Sequence, residues 1–148
     1  MLTTEEKIAE LIGSLPMYLG SLLAGIEIKI PVKLNFSEGK TLMFLHKNEG
    51  NPMSEYSKKV GLTKGSFTAV ADRLEKKGLI KRVAVSEDRR KNALILTEKG
   101  KSIAKKIDHL YNRHISTKIA QLEEEDINKL KNALETTVAI MEKIRQHI

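Results

Sequence analysis

The basic residues of this 148-residue chain are concentrated in one segment, residues 58–91. That segment contains eleven lysines and arginines and four acidic residues, a difference of +7 that equals the formal net charge of the whole chain. Each cation that neutralises a phosphate releases counterions and adds salt-dependent affinity, so a concentrated basic surface is typical of a protein that binds a polyanion. Charge alone does not distinguish DNA from RNA or from anionic lipid.

The middle of this basic segment predicts one well-defined helix, residues 64–77. Thr63 is a suitable N-cap because its hydroxyl can accept a hydrogen bond from a free backbone N–H of the first turn, and Gly78 is a typical residue just beyond a helix end. Apolar residues recur at steps of three and four and therefore share one face: Phe67, Val70, Ala71 and Leu74. We expect this face to pack and to leave the rest of the helix surface for a partner.

Small and polar residues at the start and on the outer side of this helix could contact nucleic-acid bases. In helix-turn-helix proteins, the N-terminal residues of the second helix meet base edges in the major groove, where Ser and Thr pair with several bases and Lys favours guanine. The candidates for this contact are Thr63, Lys64, Gly65, Ser66, Thr68, Ala69 and Arg73. A solvated helix face is the alternative, but the capping, the apolar face and the charge all favour DNA.

A second, shorter helix is expected over residues 55–60, with Ser54 as its cap and Gly61 as its end. The two helices and the tight turn between them have the outline of a helix-turn-helix. Another helix, from Ser37 to about Lys47, would form its scaffold.

A β-hairpin with a charged tip is predicted after these helices. Residues 79–85 and 93–96 are rich in Leu, Ile and Val, and the polar run 86–92 separates them. Two arginines on a narrow protrusion suit a minor groove, whose negative potential attracts guanidinium groups, and cations on the strands could meet backbone phosphates. The candidates are Arg82, Asp88, Arg89, Arg90 and Lys91. A soluble turn is the alternative interpretation.

Three motifs in this region resemble the wing signature of a known family. They are Gly78-Leu79-Ile80-Lys81-Arg82, Asp88-Arg89-Arg90 and Leu96-Thr97-Glu98-Lys99-Gly100. The family is MarR (multiple antibiotic resistance regulator), a group of bacterial transcription regulators with a winged helix-turn-helix. The resemblance implies that Arg90 enters the minor groove and that Asp88 positions it. It also implies a homodimer, often controlled by a small phenolic or other apolar anion.

Long apolar helices are predicted at both ends of the chain. Residues 4–30 carry apolar residues at helical spacing, with a kink or break at Pro16, and Thr97 caps another long helix. The acidic run 123–126 suits the start of a helix, where negative charge is favourable. Residues 126–148 then carry an apolar seam like that of a coiled coil. We predict that the two terminal helices build a dimerisation surface from Ile8, Leu11, Leu15, Ile127, Leu130, Leu134, Met141 and Ile144. Packing of these helices into a monomer core is the alternative.

Composition and motifs exclude several classes of protein. The chain has no cysteine, so it has neither disulfides nor a thiol-based redox sensor. No apolar run approaches the roughly 20 residues of a membrane span, and the N-terminus lacks the form of a signal peptide, so a cytoplasmic protein without a membrane partner is expected. No GxSxG, HExxH or P-loop motif occurs, so we expect neither an enzyme nor a cofactor.

A metal site is a further alternative. Some members of the resembled family bind zinc through histidine and carboxylate ligands, and His46, His109, His114 and Glu27 occupy comparable helices. His109 and His114 are five residues apart and therefore on different faces of one helix, whereas helical ligands are usually three or four residues apart. Surface or half-buried histidines that hold no metal are the expected outcome.

Together these features predict a mainly α-helical fold with a small β-hairpin wing. Helical dimerisation segments at residues 1–35 and 101–148 would flank a winged helix-turn-helix at residues 36–100. The predicted function is that of a homodimeric regulator, a ligand-responsive repressor that binds a palindromic double-stranded DNA operator. A winged-helix module that binds protein or RNA and a zinc-responsive regulator are the alternatives.

Overall fold

The computed structural model describes residues 1–48, 62–84 and 92–147. Within these ranges the chain forms five helices and one two-stranded antiparallel sheet. In chain order they are α1 (Thr4–Leu23), α2 (Phe36–Lys47), α3 (Lys64–Lys76), β1 (Ile80–Ala84), β2 (Asn92–Leu96), α4 (Glu98–Ile119) and α5 (Glu124–Gln146). The predicted fold class, mainly α with a small β-hairpin, is confirmed. The helix predicted at residues 55–60 and the hairpin tip lie outside the described residues.

The chain divides into two compact units. One unit, which we call the hairpin unit, is Glu27–Leu110, and the other, which we call the terminal unit, combines Met1–Ile26 with Tyr111–Ile148. The hairpin unit holds the apolar core, in which the largest fully buried side chains come from α2, α3 and the hairpin: Leu42, Leu45, Phe67, Leu74, Leu79, Ile80 and Leu94. None of the described helices combines the length and the apolar character that a membrane span needs.

The helix α2 begins one residue before the predicted cap, Ser37. Asn35 is the N-cap instead, because its backbone is extended and its Oδ1 accepts a hydrogen bond from Glu38 N at 2.8 Å. An Asn side chain satisfies a free N–H of the first turn as well as Ser does, so either residue could have been the cap from sequence alone. Ser37 therefore lies inside the first turn.

The first helix starts with a capping box and is shorter than predicted. The Thr3 hydroxyl accepts a hydrogen bond from Glu6 N at 3.1 Å, and the Glu6 carboxylate accepts one from Thr3 N at 2.8 Å. The apolar spacing predicts a helix to Ile30, but α1 ends at Leu23, and Gly25 follows with a positive φ of 79°. A glycine in this left-handed region turns the chain away from the helix axis.

Side chains of α4 hold the end of α1 within the terminal unit. Lys118 Nζ donates hydrogen bonds of 3.1 Å to the carbonyl oxygens of Ser21 and Ala24, and His114 Nε2 lies 3.0 Å from the same Ala24 oxygen. The Ser21 carbonyl also accepts a long hydrogen bond of 3.4 Å from Ala24 N, so the side chains of α4 add to the capping of this helix end. Of the kink or break predicted at Pro16, the break is wrong, because α1 continues through this residue.

The last two helices begin close to their predicted starts. Thr97 caps α4, since its hydroxyl accepts a hydrogen bond from Gly100 N at 3.0 Å. The helix α5 starts two residues before the predicted Asp126, and its first turn contains Glu124, Glu125 and Asp126, where negative charge is favourable.

Candidate nucleic-acid interface

The start of α3 is fixed by its cap. Thr63 Oγ1 accepts a hydrogen bond from Ser66 N at 3.2 Å, and the Thr63 hydroxyl donates to Ser66 Oγ at 2.9 Å. The predicted N-cap is therefore confirmed, and it also fixes the position of the Ser66 hydroxyl. Gly78, with a φ of 74°, follows the other end of the helix as predicted.

One face of α3 packs and the other is open. Phe67, Val70, Ala71 and Leu74 are at most 2% exposed, so the predicted apolar face is confirmed. Exposed residues on the same helix include Gly65, Ser66, Thr68, Ala69 and Arg73, which are all candidates for base contact. Lys64 is the first residue of the helix, and the structure describes its backbone alone. The first turns of α3 thus carry small exposed side chains on a rigid, well-packed helix.

Arg73 has an acidic neighbour that the sequence did not reveal. Its Nε lies 3.6 Å from Glu38 Oε1. Glu38 belongs to α2 and is only 3% exposed. The same carboxylate accepts a hydrogen bond from Lys77 Nζ. In the sequence, Glu38 resembles an ordinary acidic residue in the first turn of a helix, so its role in holding α3 could not be recognised there.

Arg82, a candidate for phosphate contact, is already engaged by two carboxylates of α3. Its Nη2 donates to Asp72 Oδ1 at 2.6 Å and its Nη1 donates to Glu75 Oε1 at 2.8 Å. The Arg82 side chain is 25% exposed. The guanidinium therefore connects strand β1 to the outer side of α3.

The hairpin is attached at its base by a junction of hydrogen bonds around Thr97. Ile80 pairs with Leu96 at the start of the antiparallel register, and Thr97 N then donates to Leu79 O at 3.0 Å. The Thr97 hydroxyl donates to Gly78 O at 2.6 Å. This junction connects the turn after α3 to the start of α4. The remaining hairpin candidates, Asp88, Arg89, Arg90 and Lys91, lie outside the described residues.

Further cations lie at the end of α3 and on β1. Lys76 and Lys81 are exposed, and Lys99 Nζ donates to Lys77 O at 3.2 Å. These lysines extend the positive surface from α3 toward the hairpin and can attract a polyanion without contacting a particular base.

The dimerisation candidates lie in the terminal unit, and six of the eight are about half exposed in the single chain. Leu134 is 51% exposed and Met141 is 41% exposed. Ile8, Leu11, Leu15 and Ile144 are exposed to a similar degree, while Ile127 and Leu130 are half-buried. Large apolar side chains along two long helices therefore face outward together with further ones that the prediction omitted: Ile12, Met17, Tyr18, Leu19, Val138 and Ile140.

The histidines occupy different environments. His46 is half-buried, His109 is exposed, and His114 contacts the end of α1, while Glu27 pairs with Lys29 at 3.4 Å. Across residues 1–48, 62–84 and 92–147, no three His, Cys, Asp or Glu side chains are close enough together to hold a metal ion.

The family model that matches the chain is that of the MarR family, over residues 34–91. Among curated proteins, the HTH-type transcriptional regulator MhqR of Bacillus subtilis (strain 168) is 34% identical over 94 residues, which are 64% of this chain and 65% of MhqR. The chain therefore aligns with just under two thirds of the length of that relative. This relative is named as a transcriptional regulator.

Solved structures show the same fold over nearly the whole chain. The crystal structure of Streptococcus pneumoniae FabT in complex with DNA has a TM-score of 0.66 at 23% identity and covers 95% of this chain and 96% of FabT. The structure of RV1404 from Mycobacterium tuberculosis has a TM-score of 0.77 at 16% identity and covers 95% of both chains. The MarR family model thus matches residues 34–91, and the agreement in fold with solved structures extends over nearly the whole chain.

Proposed function

We propose that the chain is a sequence-specific regulator of transcription that binds double-stranded DNA through α3 and the hairpin. The observation that carries this proposal is the contrast within α3, whose apolar face is buried while Gly65, Ser66, Thr68 and Ala69 are exposed in its first turns. Short side chains allow the helix to approach base edges in the major groove closely. The name of MhqR and the DNA in the FabT crystal add support.

The active form in this proposal is a homodimer. The exposed apolar residues of α1 and α5 make a surface that a soluble monomer would not normally leave open. A second copy of the chain covers such a surface by two-fold symmetry. The two α3 helices would then reach successive major grooves, about 34 Å apart, and the operator would be palindromic.

Regulation by a ligand completes the proposal. A repressor of this design releases DNA when an effector favours a different distance between its two α3 helices, because the effector shifts the population toward that state. Support for this part comes from the match of residues 34–91 to the model of the MarR family.

Selection of bound duplexes from a random pool by the full chain tests this function. We expect a palindromic consensus whose half-site centres are one helical turn, about 10 base pairs, apart. Binding without preference in competition with bulk DNA would contradict the proposal and favour a module that binds RNA or protein.

Two variants make the selection specific to α3. Ser66→Glu places a negative charge at the exposed start of α3 and should abolish enrichment of the consensus. Ser102→Glu, at an exposed position of α4 in the hairpin unit, is the matched control and should enrich the same consensus as the parent chain. Equal behaviour of the two variants would remove α3 from the proposed interface.

A further inference from the structure

We infer that Arg82 is a positioning residue, which fixes the hairpin against α3, and not a phosphate contact. The inference rests on the proposed DNA-binding function and deepens it by assigning one residue of the same interface. Two carboxylates of α3, those of Asp72 and Glu75, accept the hydrogen bonds of this arginine.

The geometry uses both arms of the guanidinium. Asp72 and Glu75 are three residues apart on α3 and so lie on the same side of the helix. One terminal nitrogen of Arg82 donates to each carboxylate, at 2.6 Å and 2.8 Å. Hydrogen bonds between ionised partners are short and strong, and the planar fork of arginine makes them directional. A lysine has one point of charge and cannot span both partners in this way.

The charges oppose the use of Arg82 on DNA. Asp72 and Glu75 are negative, partly exposed and located on the helix that approaches the phosphates, and Arg82 offsets one of the two charges. If Arg82 turned toward a phosphate, both carboxylates would lose their partner beside a polyanion. A phosphate and the carboxylates of α3 therefore compete for the same N–H donors of Arg82. The contact with the carboxylates avoids their repulsion from the phosphates.

The position of Arg82 in the strand explains what the contact fixes. Arg82 is the central residue of β1 and pairs with Leu94 of β2. At the base of the hairpin, the Thr97 and Gly78 junction attaches the strands. A second attachment at the centre of β1 sets the direction in which the hairpin leaves α3. If the tip enters a minor groove, as the resemblance of Asp88-Arg89-Arg90 implies, this direction sets where it meets the DNA while α3 lies in a major groove.

Three variants test the inference: Arg82→Gln, Arg82→Lys and the double variant Asp72→Asn with Glu75→Gln. Each chain is measured against the selected duplex and against a random duplex, over a range of salt concentrations. We expect Arg82→Gln to lower the ratio of specific to random binding roughly tenfold. A tenfold change lies within the range of coupling free energies between residues that contact each other. The slope of log affinity against log salt should stay unchanged, because no phosphate contact is lost. Arg82→Lys should recover this ratio only in part.

The carboxylate pair gives the sharpest result. Asp72→Asn with Glu75→Gln removes repulsion from DNA, yet it should lower the ratio of specific to random binding, and adding Arg82→Gln should lower it little further. The result that overturns the inference is a fall in the salt slope of about 1 on Arg82→Gln, with equal loss on both duplexes. An increase in the ratio for the carboxylate pair would overturn it as well.

A control and a second measurement separate this test from that of the function. Lys105→Gln removes an exposed cation of α4 and should leave the ratio of specific to random binding at the value of the parent chain. If the parent chain selects no duplex, the proposed function has failed, and the contact is measured by unfolding instead. Unfolding midpoints of Arg82→Gln, the carboxylate pair and their combination should then be non-additive; additive midpoints would overturn the inference.

Discussion

The buried carboxylate of Glu38 in α2 accepts a hydrogen bond from Lys77, the residue that follows the last turn of α3. Glu38 is 3% exposed and Lys77 is 32% exposed, and Lys77 Nζ also donates to Lys33 O at 2.7 Å. A cation at this place also interacts favourably with the negative end of the helix dipole. The contact therefore fixes the C-terminal end of α3 to α2, whereas the Thr63 cap orders its N-terminal end.

Removal of this charge should destabilise the hairpin unit. Glu38→Gln leaves Lys77 without its anion, and we expect a loss of about 1–3 kcal/mol of unfolding free energy. The loss stays below that of a fully buried pair because Lys77 can still reach water. Urea unfolding of Glu38→Gln, Lys77→Met and the double variant measures the coupling, and an unchanged midpoint for Glu38→Gln would contradict the assigned role.

Gly100 should tolerate no side chain. A Cβ at this residue would lie 1.9 Å from the carbonyl oxygen of Leu79, which belongs to the junction at the base of the hairpin. Gly100→Ala must therefore move backbone, and we expect a loss of about 1–3 kcal/mol or more. Gly39→Ala is the control, since a Cβ there would meet no atom within 4 Å apart from its chain neighbours and its own helix backbone, and it should gain up to about 1 kcal/mol. Similar unfolding midpoints for the two variants would refute the close approach.

Negative charges on α5 should dissociate the proposed dimer. Leu134→Glu and Met141→Glu introduce charges that a dimer interface would bury at a cost of several kcal/mol and that a monomer leaves in water. We expect sedimentation as a monomer or as aggregate. Asn132→Glu, two residues from Leu134 and on the other side of the helix, should sediment like the parent chain. A well-folded dimer of the double variant would locate the interface elsewhere.

A change at Ser66 should alter base preference more than affinity in general. Ser66→Ala removes a hydroxyl at the exposed start of α3, and one or two positions per half-site should tolerate other bases, an effect of about 1–3 kcal/mol. Repeated duplex selection measures this effect, with Ser102→Ala as the control. Equal loss on every sequence would mean that Ser66 contacts phosphate alone.

The hairpin tip provides a test that depends on sequence alone, because Asp88 and Arg90 lie outside the described residues. Arg90→Ala should weaken specific binding, leave the unfolding midpoint unchanged and lower the salt slope by about 1. Arg90→Lys should recover part of the affinity, since an ammonium lacks the planar fork. Asp88→Ala should show a weaker form of the same defect. Tighter binding by Asp88→Ala together with an unchanged slope for Arg90→Ala would exclude the tip from recognition.

Local signals account for the parts of the structure that the sequence predicted correctly. The cap at Thr63, the apolar spacing of α3 and the glycine at position 78 act within one helix, and β-rich runs on both sides of a polar tip define the hairpin. The incorrect prediction of where α1 ends has a similar origin. The apolar spacing continues beyond Leu23, although Gly25 turns the chain.

Contacts between distant residues were not predictable in this way. Glu38 and Lys77 are 39 residues apart, and no local pattern indicates that the carboxylate is buried. In the sequence, a strand cation beside a basic helix makes Arg82 a candidate for phosphate contact, whereas its hydrogen bonds to Asp72 and Glu75 depend on the angle between β1 and α3.

The division of α3 into a buried and an exposed side has a consequence for how such proteins diverge. Substitutions at Gly65, Ser66, Thr68 or Ala69 change exposed atoms and should cost little folding free energy, whereas changes at Phe67 or Leu74 empty the core. After a gene duplication, descendants could therefore acquire new DNA targets through a few mutations on one side of a helix. Each intermediate along that evolutionary path would still fold.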